Sequence, residues 1–338
     1  MEGRHRRGLT LPVEDWLSAF PLPAFPLPTL RLPAFPLKGS MPDEVPLNPR
    51  VSKVQALGLV LTAITVVQFG AAIAKEIIPV AGPLGTVLVR LGFASAVLLG
   101  IARPSFRGHS RADWGYLIAF GMALAAMNST YYSALQYLPI GVTVTIEFWG
   151  PLAVAIAGSR RRLDAVWVLL AAAGILILSP LSGAEINTRG MILALAAGGF
   201  WALYILLSRE VGARFQGLGG LGIAMLVATM LMAGPGLVSA GSSLLSWKVI
   251  GIGFLVAMMS SAIPYGLEMH ALRSISAASF GLLMSLEPMV GALADSLLNG
   301  VHLVGREYLA MALILLANVG SLRSKSRAAP EAAILTPG

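Results

Sequence analysis

Ten stretches of about twenty residues each, almost free of charge, decide what this chain can fold into. They begin near Val54, Gly82, Trp114, Pro139, Leu163, Gly190, Leu218, Val249, Ala277 and Val304. At 1.5 Å rise per residue, roughly 20 apolar residues are what a helix needs to cross the hydrocarbon core of a bilayer. The backbone of such a segment must satisfy its own hydrogen bonds, which makes the helix the natural conformer. Composition agrees: 56% of residues are hydrophobic and 12% charged, against about 25% charged in soluble domains. The connections are short and rich in Gly, Pro, Ser and Arg, as helix stops are. The expected fold class is all-α and integral to the membrane, with ten transmembrane helices. There is no cysteine, which excludes disulfides and thiolate metal sites, and the four histidines have no ligand-like spacing. No metal or cofactor is expected.

The net charge of +8 would suit nucleic acid in a soluble protein. In a membrane chain, excess Lys and Arg sit in cytoplasmic loops and set orientation. Threading ten helices from an inside N-terminus tests this. Of 24 Lys and Arg residues, 19 fall on the cytoplasmic side, including Arg103, Arg107, Arg111, Arg160 to Arg162, Arg214 and Arg273. Four, Lys75, Arg189, Lys248 and Arg306, fall outside, and Arg90 falls within a span. The bias predicts both termini in the cytoplasm and the lipid bilayer, not nucleic acid, as the partner.

Residues 1–50 read differently. AFPLPAFPLPTLRLPAFPLK repeats proline too often for a helix and favours an extended, disordered extension. Its native status is itself open, since Met41 begins a compact leader before the first span. Beyond it, ALQYLPIGVTVTIEFWGPLAVAIAG from Ala134 aligns at constant offset with ALRSISAASFGLLMSLEPMVGALAD from Ala271, bringing Pro151 to Pro288. Two halves follow, 51–185 and 186–322, with a cytoplasmic tail at 323–338. Five helices per half is odd, so the second half enters from the opposite face. The expected architecture is two inverted five-helix repeats around a central site.

Ionisable groups at membrane depth mark pathways or pairs. Arg90 lies about eight residues into the second span and Glu147 about eight into the fourth, roughly 12 Å deep in both cases. At matched depth they can pair, which would either lock two helices or hold a site. Pro151 deprives the Glu147 carbonyl of its helix partner. Carboxylate and free carbonyl together suit a proton, a cation or an ammonium group. Glu287 sits near mid-membrane beside Pro288, and Pro264 frees the Ser260 carbonyl in the eighth span. Gly150 permits a close backbone approach. Trp201, Tyr204 and Tyr265 are candidates to line the pocket. Glu268 lies near a cytoplasmic helix end, where a loop arginine would pair it. Neither HExxH nor GxSxG occurs, nor any intramembrane aspartate dyad, so nothing points to an enzyme.

The run AMNSTYYSALQYLPIGVTVTIEFWGPLAVAIAGSRRRLDAVWVLLAAAG, with its EFWGP core, resembles the threonine/homoserine exporter family of the drug/metabolite transporter (EamA-type) superfamily. SAIPYGLEMHALRSISAASFGLLMSLEPMVGALA resembles its second-half signature, and AAIAKEIIP and FWALYILLSRE its first and sixth helices. The likeness covers about residues 54–322. It implies a bacterial inner-membrane carrier exporting small neutral amino acids such as threonine and homoserine by proton antiport, with Glu147 as the working carboxylate. Another small metabolite as cargo remains open, since fold does not fix substrate. Two features depart from the family: the proline-rich leader, and Val301 after Gly300 where members carry Gly-Glu.

Overall fold

In the computed structural model, the described residues are 52–74, 76–138, 140–159, 162–178, 187–299 and 302–334. The proline-rich stretch 1–50, Val51, Lys75, Pro139, Arg160, Arg161, residues 179–186 with the expected boundary between the two halves, Gly300, Val301 and the last four residues lie outside them, as do the side chains of Asp295 and of the tail from Lys325.

Among the described residues every regular element is helical. In chain order they are α1 (Lys53–Ala74), α2 (Ile78–Ala102), α3 (Arg111–Ala134), α4 (Ile140–Glu147), α5 (Trp149–Ala157), α6 (Arg162–Leu178), α7 (Thr188–Arg214) and α8 (Gly219–Ala240). After a 3₁₀ turn at Gly241–Leu245 come α9 (Trp247–Ala257), a π turn (Met258–Ala262), α10 (Ile263–Leu272), α11 (Ala277–Met284), α12 (Glu287–Asn299) and α13 (Gly305–Ile334). Among the described residues, five stretches are long and apolar enough to cross a membrane: Val54–Ala71, Ile78–Ala102, Thr188–Arg214, Gly219–Leu245 and Trp247–Leu272. Val142–Ala157 and Ala277–Leu293 are shorter apolar helices. Among the described residues, each of the ten expected segments contains helix.

The polarity of the molecule is that of a lipid-facing protein. Leu169, Leu176, Ile192, Met230, Leu237 and Leu316 are exposed, while Arg90, Asn128, Glu147 and Glu268 are buried. Leaving leucines outside and charges inside would be costly in water, where apolar burial drives folding. In hydrocarbon the apolar face costs nothing, and the interior becomes the place for polar groups.

Prolines shape the centre. The fourth apolar segment is split at Phe148 into α4 and α5, because Pro151 has no N–H to give the Glu147 carbonyl. The ninth is split at Ser285 and Leu286, just before Pro288. Pro264, at the start of α10, follows the π turn, where one extra residue widens the helix.

Packing runs between distant parts of the chain. α2 lies on α8, α3 on α7 and α8, α1 on α10, α2 on α9, α5 on α11 and α6 on α13. α4 and α5 lie on α7, and α11 and α12 lie on α1. Small residues permit this closeness: a Cβ on Gly150 would stand 1.9 Å from the Gly198 carbonyl oxygen, and one on Gly281 2.4 Å from that of Pro151.

Candidate functional site

The broken helices bring polar groups together at depth. Arg90 projects from the middle of α2 and is 6% exposed. Its Nη1 donates to the Tyr132 hydroxyl on α3 at 3.2 Å, and its guanidinium carbon stands 5.1 Å from the centre of that ring. Tyr265 of α10 lies within electrostatic reach of it. Its Nε has no hydrogen-bond partner. Among the described residues no carboxylate approaches Arg90 within ion-pair distance, so the pairing with Glu147 that matched depth suggests is not formed. The guanidinium rests on aromatic faces and hydroxyls instead, which are neutral partners.

Glu147 ends α4 and is 9% exposed. It lies within electrostatic reach of Tyr131 and Glu287. The helix break is pinned against α7: a Cβ on Gly198 would stand 2.5 Å from the Glu147 carbonyl oxygen, and Trp149 Nε1 donates to the Leu195 carbonyl at 2.9 Å. Gly150 and Pro151 are both buried in this crossing. Phe148 meets Trp201 edge-to-face at 4.9 Å, so Trp201 braces the break.

Glu287 opens α12 beside Pro288, half-buried, and accepts from Gln68 Nε2 of α1 at 3.3 Å. The Ser260 and Ser261 hydroxyls of the π turn before Pro264 are buried without a partner among the described residues. On the other break, Asn318 of α13 donates to the Ser285 hydroxyl at 3.0 Å.

Among the described residues, no loop arginine pairs with Glu268. It is 7% exposed and accepts from the Tyr204 hydroxyl at 2.7 Å. Tyr204 is fully buried and packs between Phe120 and Tyr265, at 5.6 and 5.2 Å between ring centres. Arg273, the nearest arginine in sequence, is committed elsewhere. It donates to the carbonyls of Gly212, Phe215 and Gly217 at 2.9, 3.2 and 2.7 Å, closing the C-terminus of α7.

Two ends of the bundle are distinct. Asp113, Arg214 and Glu210 form one ion cluster, with Arg214 over the Tyr116 ring. A cavity of about 590 Å³ opens there, lined by Arg103, Arg107, His109 and Arg214 among others, and shares no residue with the central cluster. Elsewhere Lys248 meets Glu76 at 3.5 Å.

Sequence reasoning named Arg90, Glu147, Glu287, Trp201, Tyr204 and Tyr265, and all lie in or against the central cluster. It missed Gln68, Asn128, Tyr132 and the burial of Glu268. A polar residue in an otherwise apolar span was the available signal for the first two.

Helices that turn leucines outward and gather charge at a proline-broken centre belong to a protein embedded in a membrane. Residues 188–323 match the EamA-like transporter family. Threonine/homoserine exporter RhtA of Salmonella typhimurium (strain SL1344) is 36% identical over 265 residues, covering 78% of this chain and 90% of that protein. Its counterpart in Escherichia coli (strain K12) is 37% identical over the same length and shares. The chain therefore belongs to the threonine/homoserine exporter family of EamA-like transporters. One solved crystal structure of a protein superposes with a TM-score of 0.68 at 18% identity, over 82% of this chain and 99% of that one, which speaks to the fold.

Proposed function

We propose that this protein exports small neutral amino acids, threonine and homoserine among them, across the bacterial inner membrane in exchange for protons. The observation that carries the reading is Arg90: a buried guanidinium with a free Nε and no carboxylate partner among the described residues, sharing one cluster with the carboxyl groups of Glu147 and Glu287. An unpaired cation in a dry site is unfavourable. An amino-acid carboxylate would relieve it, while the ammonium group takes the place of a proton at Glu147. The printed activity of the relatives supports the same cargo.

Alternating access follows from two inverted five-helix repeats. The packing supports that arrangement. Matching α1 to α7, α2 to α8, α3 to the α9–α10 segment, α4–α5 to α11–α12 and α6 to α13 gives each major packing a counterpart. α3 on α7 answers α10 on α1, and α3 on α8 answers α9 on α2. α4–α5 on α7 answers α11–α12 on α1, and α2–α8, α5–α11 and α6–α13 map onto themselves. A two-fold relation has this property. The Arg214 end, rich in arginine, is then cytoplasmic, with both termini on that side.

Efflux of labelled threonine and homoserine from loaded cells tests the reading, comparing wild type, Glu147→Gln and empty vector. Wild-type efflux should exceed vector, and the variant should fall to it while reaching the membrane in equal amount. Wild-type protein present in the membrane without efflux would remove the amino-acid assignment. A variant with unchanged pH dependence would remove Glu147 from proton coupling.

A further inference from the structure

The buried Glu268–Tyr204 pair is not used by the transport scheme above, and its surroundings suggest what it does. Glu268 sits one helical turn before the end of α10, and Tyr204 lies ten residues before the end of α7. Arg273 is the residue that ends α10, and its hydrogen bonds close the end of α7, so the pair lies toward the Arg273 end of both helices. Tyr265, one turn before Glu268 on α10, packs against the Tyr204 ring and lies within electrostatic reach of Arg90. Chemically active groups therefore follow one another from Glu268 through Tyr204 and Tyr265 to Arg90 and Tyr132. On the other side of the pair, Ser208 is the next α7 residue on the face of Tyr204, and Ser274 follows α10. Both hydroxyls are buried; that of Ser208 lies within reach of the Tyr204 hydroxyl, and that of Ser274 has no hydrogen-bond partner among the described residues.

A carboxylate at this depth needs either a cation or a proton. Among the described residues no cation lies within ion-pair distance of Glu268. Its neighbours can be taken element by element. α2 brings Arg90, held by Tyr132, and α3 brings Asn128, which donates to the Leu124 carbonyl. α7 brings Tyr204 and Ser208, α10 itself Tyr265, and α12 the like-charged Glu287. α1 contributes the neutral Gln68, and α11 has no ionisable residue.

We propose that Glu268, hydrogen-bonded by Tyr204, is a second proton-binding carboxyl group, through which protons leave the central site toward the Arg273 end. Its carboxylate takes up a proton to become the neutral acid, and returns to the carboxylate as that proton leaves toward Ser208 and Ser274. The assignment rests on the proton-antiport reading given above, and Glu147 keeps the role of exchanging a proton for the substrate ammonium.

Full-length protein in liposomes separates the two ideas. Exchange of labelled for unlabelled threonine at equal pH on both sides needs no net proton movement. Accumulation of labelled threonine into acid-inside vesicles does. Wild type should do both, and Glu268→Gln should exchange but lose accumulation at least tenfold. Tyr204→Phe should accumulate with a pH midpoint moved upward, because the ionised carboxylate loses its donor. Accumulation by Glu268→Gln at the wild-type level overturns the assignment alone. Wild type that exchanges without accumulating overturns the antiport reading and this assignment together. Where Glu268→Gln does not fold, Tyr204→Phe decides: an unmoved midpoint overturns the assignment.

Discussion

A carboxylate on this chain is read differently at a helix start and in its interior. Asp113 stands at the third position of α3, where Ser110 and Asp113 form a reciprocal capping box. The Ser110 backbone N–H and hydroxyl, with Arg214 beside them, hold its carboxyl below the usual carboxylate range. A carboxyl lowered in this way stabilises the fold above its unfolded pKa, and that contribution is lost as pH falls through the folded value. Asp113→Asn should therefore cost about 1 kcal/mol, the usual worth of a cap, at neutral pH. In thermal melts in detergent the gap to wild type should close on acidification; a gap independent of pH would assign the loss to something other than the carboxylate. Glu268 shows the opposite case. From sequence it stood near a helix end where arginines abound, so pairing was the natural expectation. The fold gave Arg273 to three carbonyls at the end of α7 and turned Glu268 inward to Tyr204. Which carbonyls lack a partner is a matter of where helices end in space, and sequence spacing along one helix does not carry it.

At the scale of elements, the prolines were legible and their partners were not. Pro151, Pro264 and Pro288 each announce a missing backbone hydrogen bond, and each stands at a split helix or a π turn. That Gly150 and Gly198 form the crossing where α5 meets α7 could not be seen, because residues 48 apart share no local pattern. The contact makes a sharp prediction. A methyl at Gly198 would meet Glu147 and Trp149 at 2.5 Å or less, whereas one on its neighbour Gly199 would have 3.4 Å. Gly198→Ala should lose about 2 kcal/mol or more, in the range of overpacked cores, while Gly199→Ala stays near wild type. Equal melting temperatures for the two would show that the helices separate without cost. Arg90 and Glu147 teach the same lesson in reverse. Matched depth brought both to the central cluster, yet depth does not fix azimuth. Tyr132 takes the hydrogen bond that Arg90 donates.

For the molecule as a whole, the absence of cysteine from the sequence supplies a clean background for testing orientation. Single cysteines at Lys248 and at Arg107 should behave oppositely in cells whose inner membrane is intact and exposed. Lys248→Cys should react with a membrane-impermeant maleimide added from outside, and Arg107→Cys only after permeabilisation. Reversed labelling would turn the molecule over, and with it the direction assigned to proton release at Glu268. The hydrophobic segments and their count of charges determined, by sequence alone, that this is a helical membrane protein, because twenty apolar residues in a row have few other stable fates. The same residues placed the prolines at the helix breaks, since a missing N–H is a covalent fact. Only the tertiary structure decided that Arg90 stands on tyrosines without a carboxylate and that Glu268 is buried against Tyr204. Those outcomes depend on which helix faces meet across long separations in the chain, and the geometry of that meeting is set by close glycine contacts rather than by any local pattern.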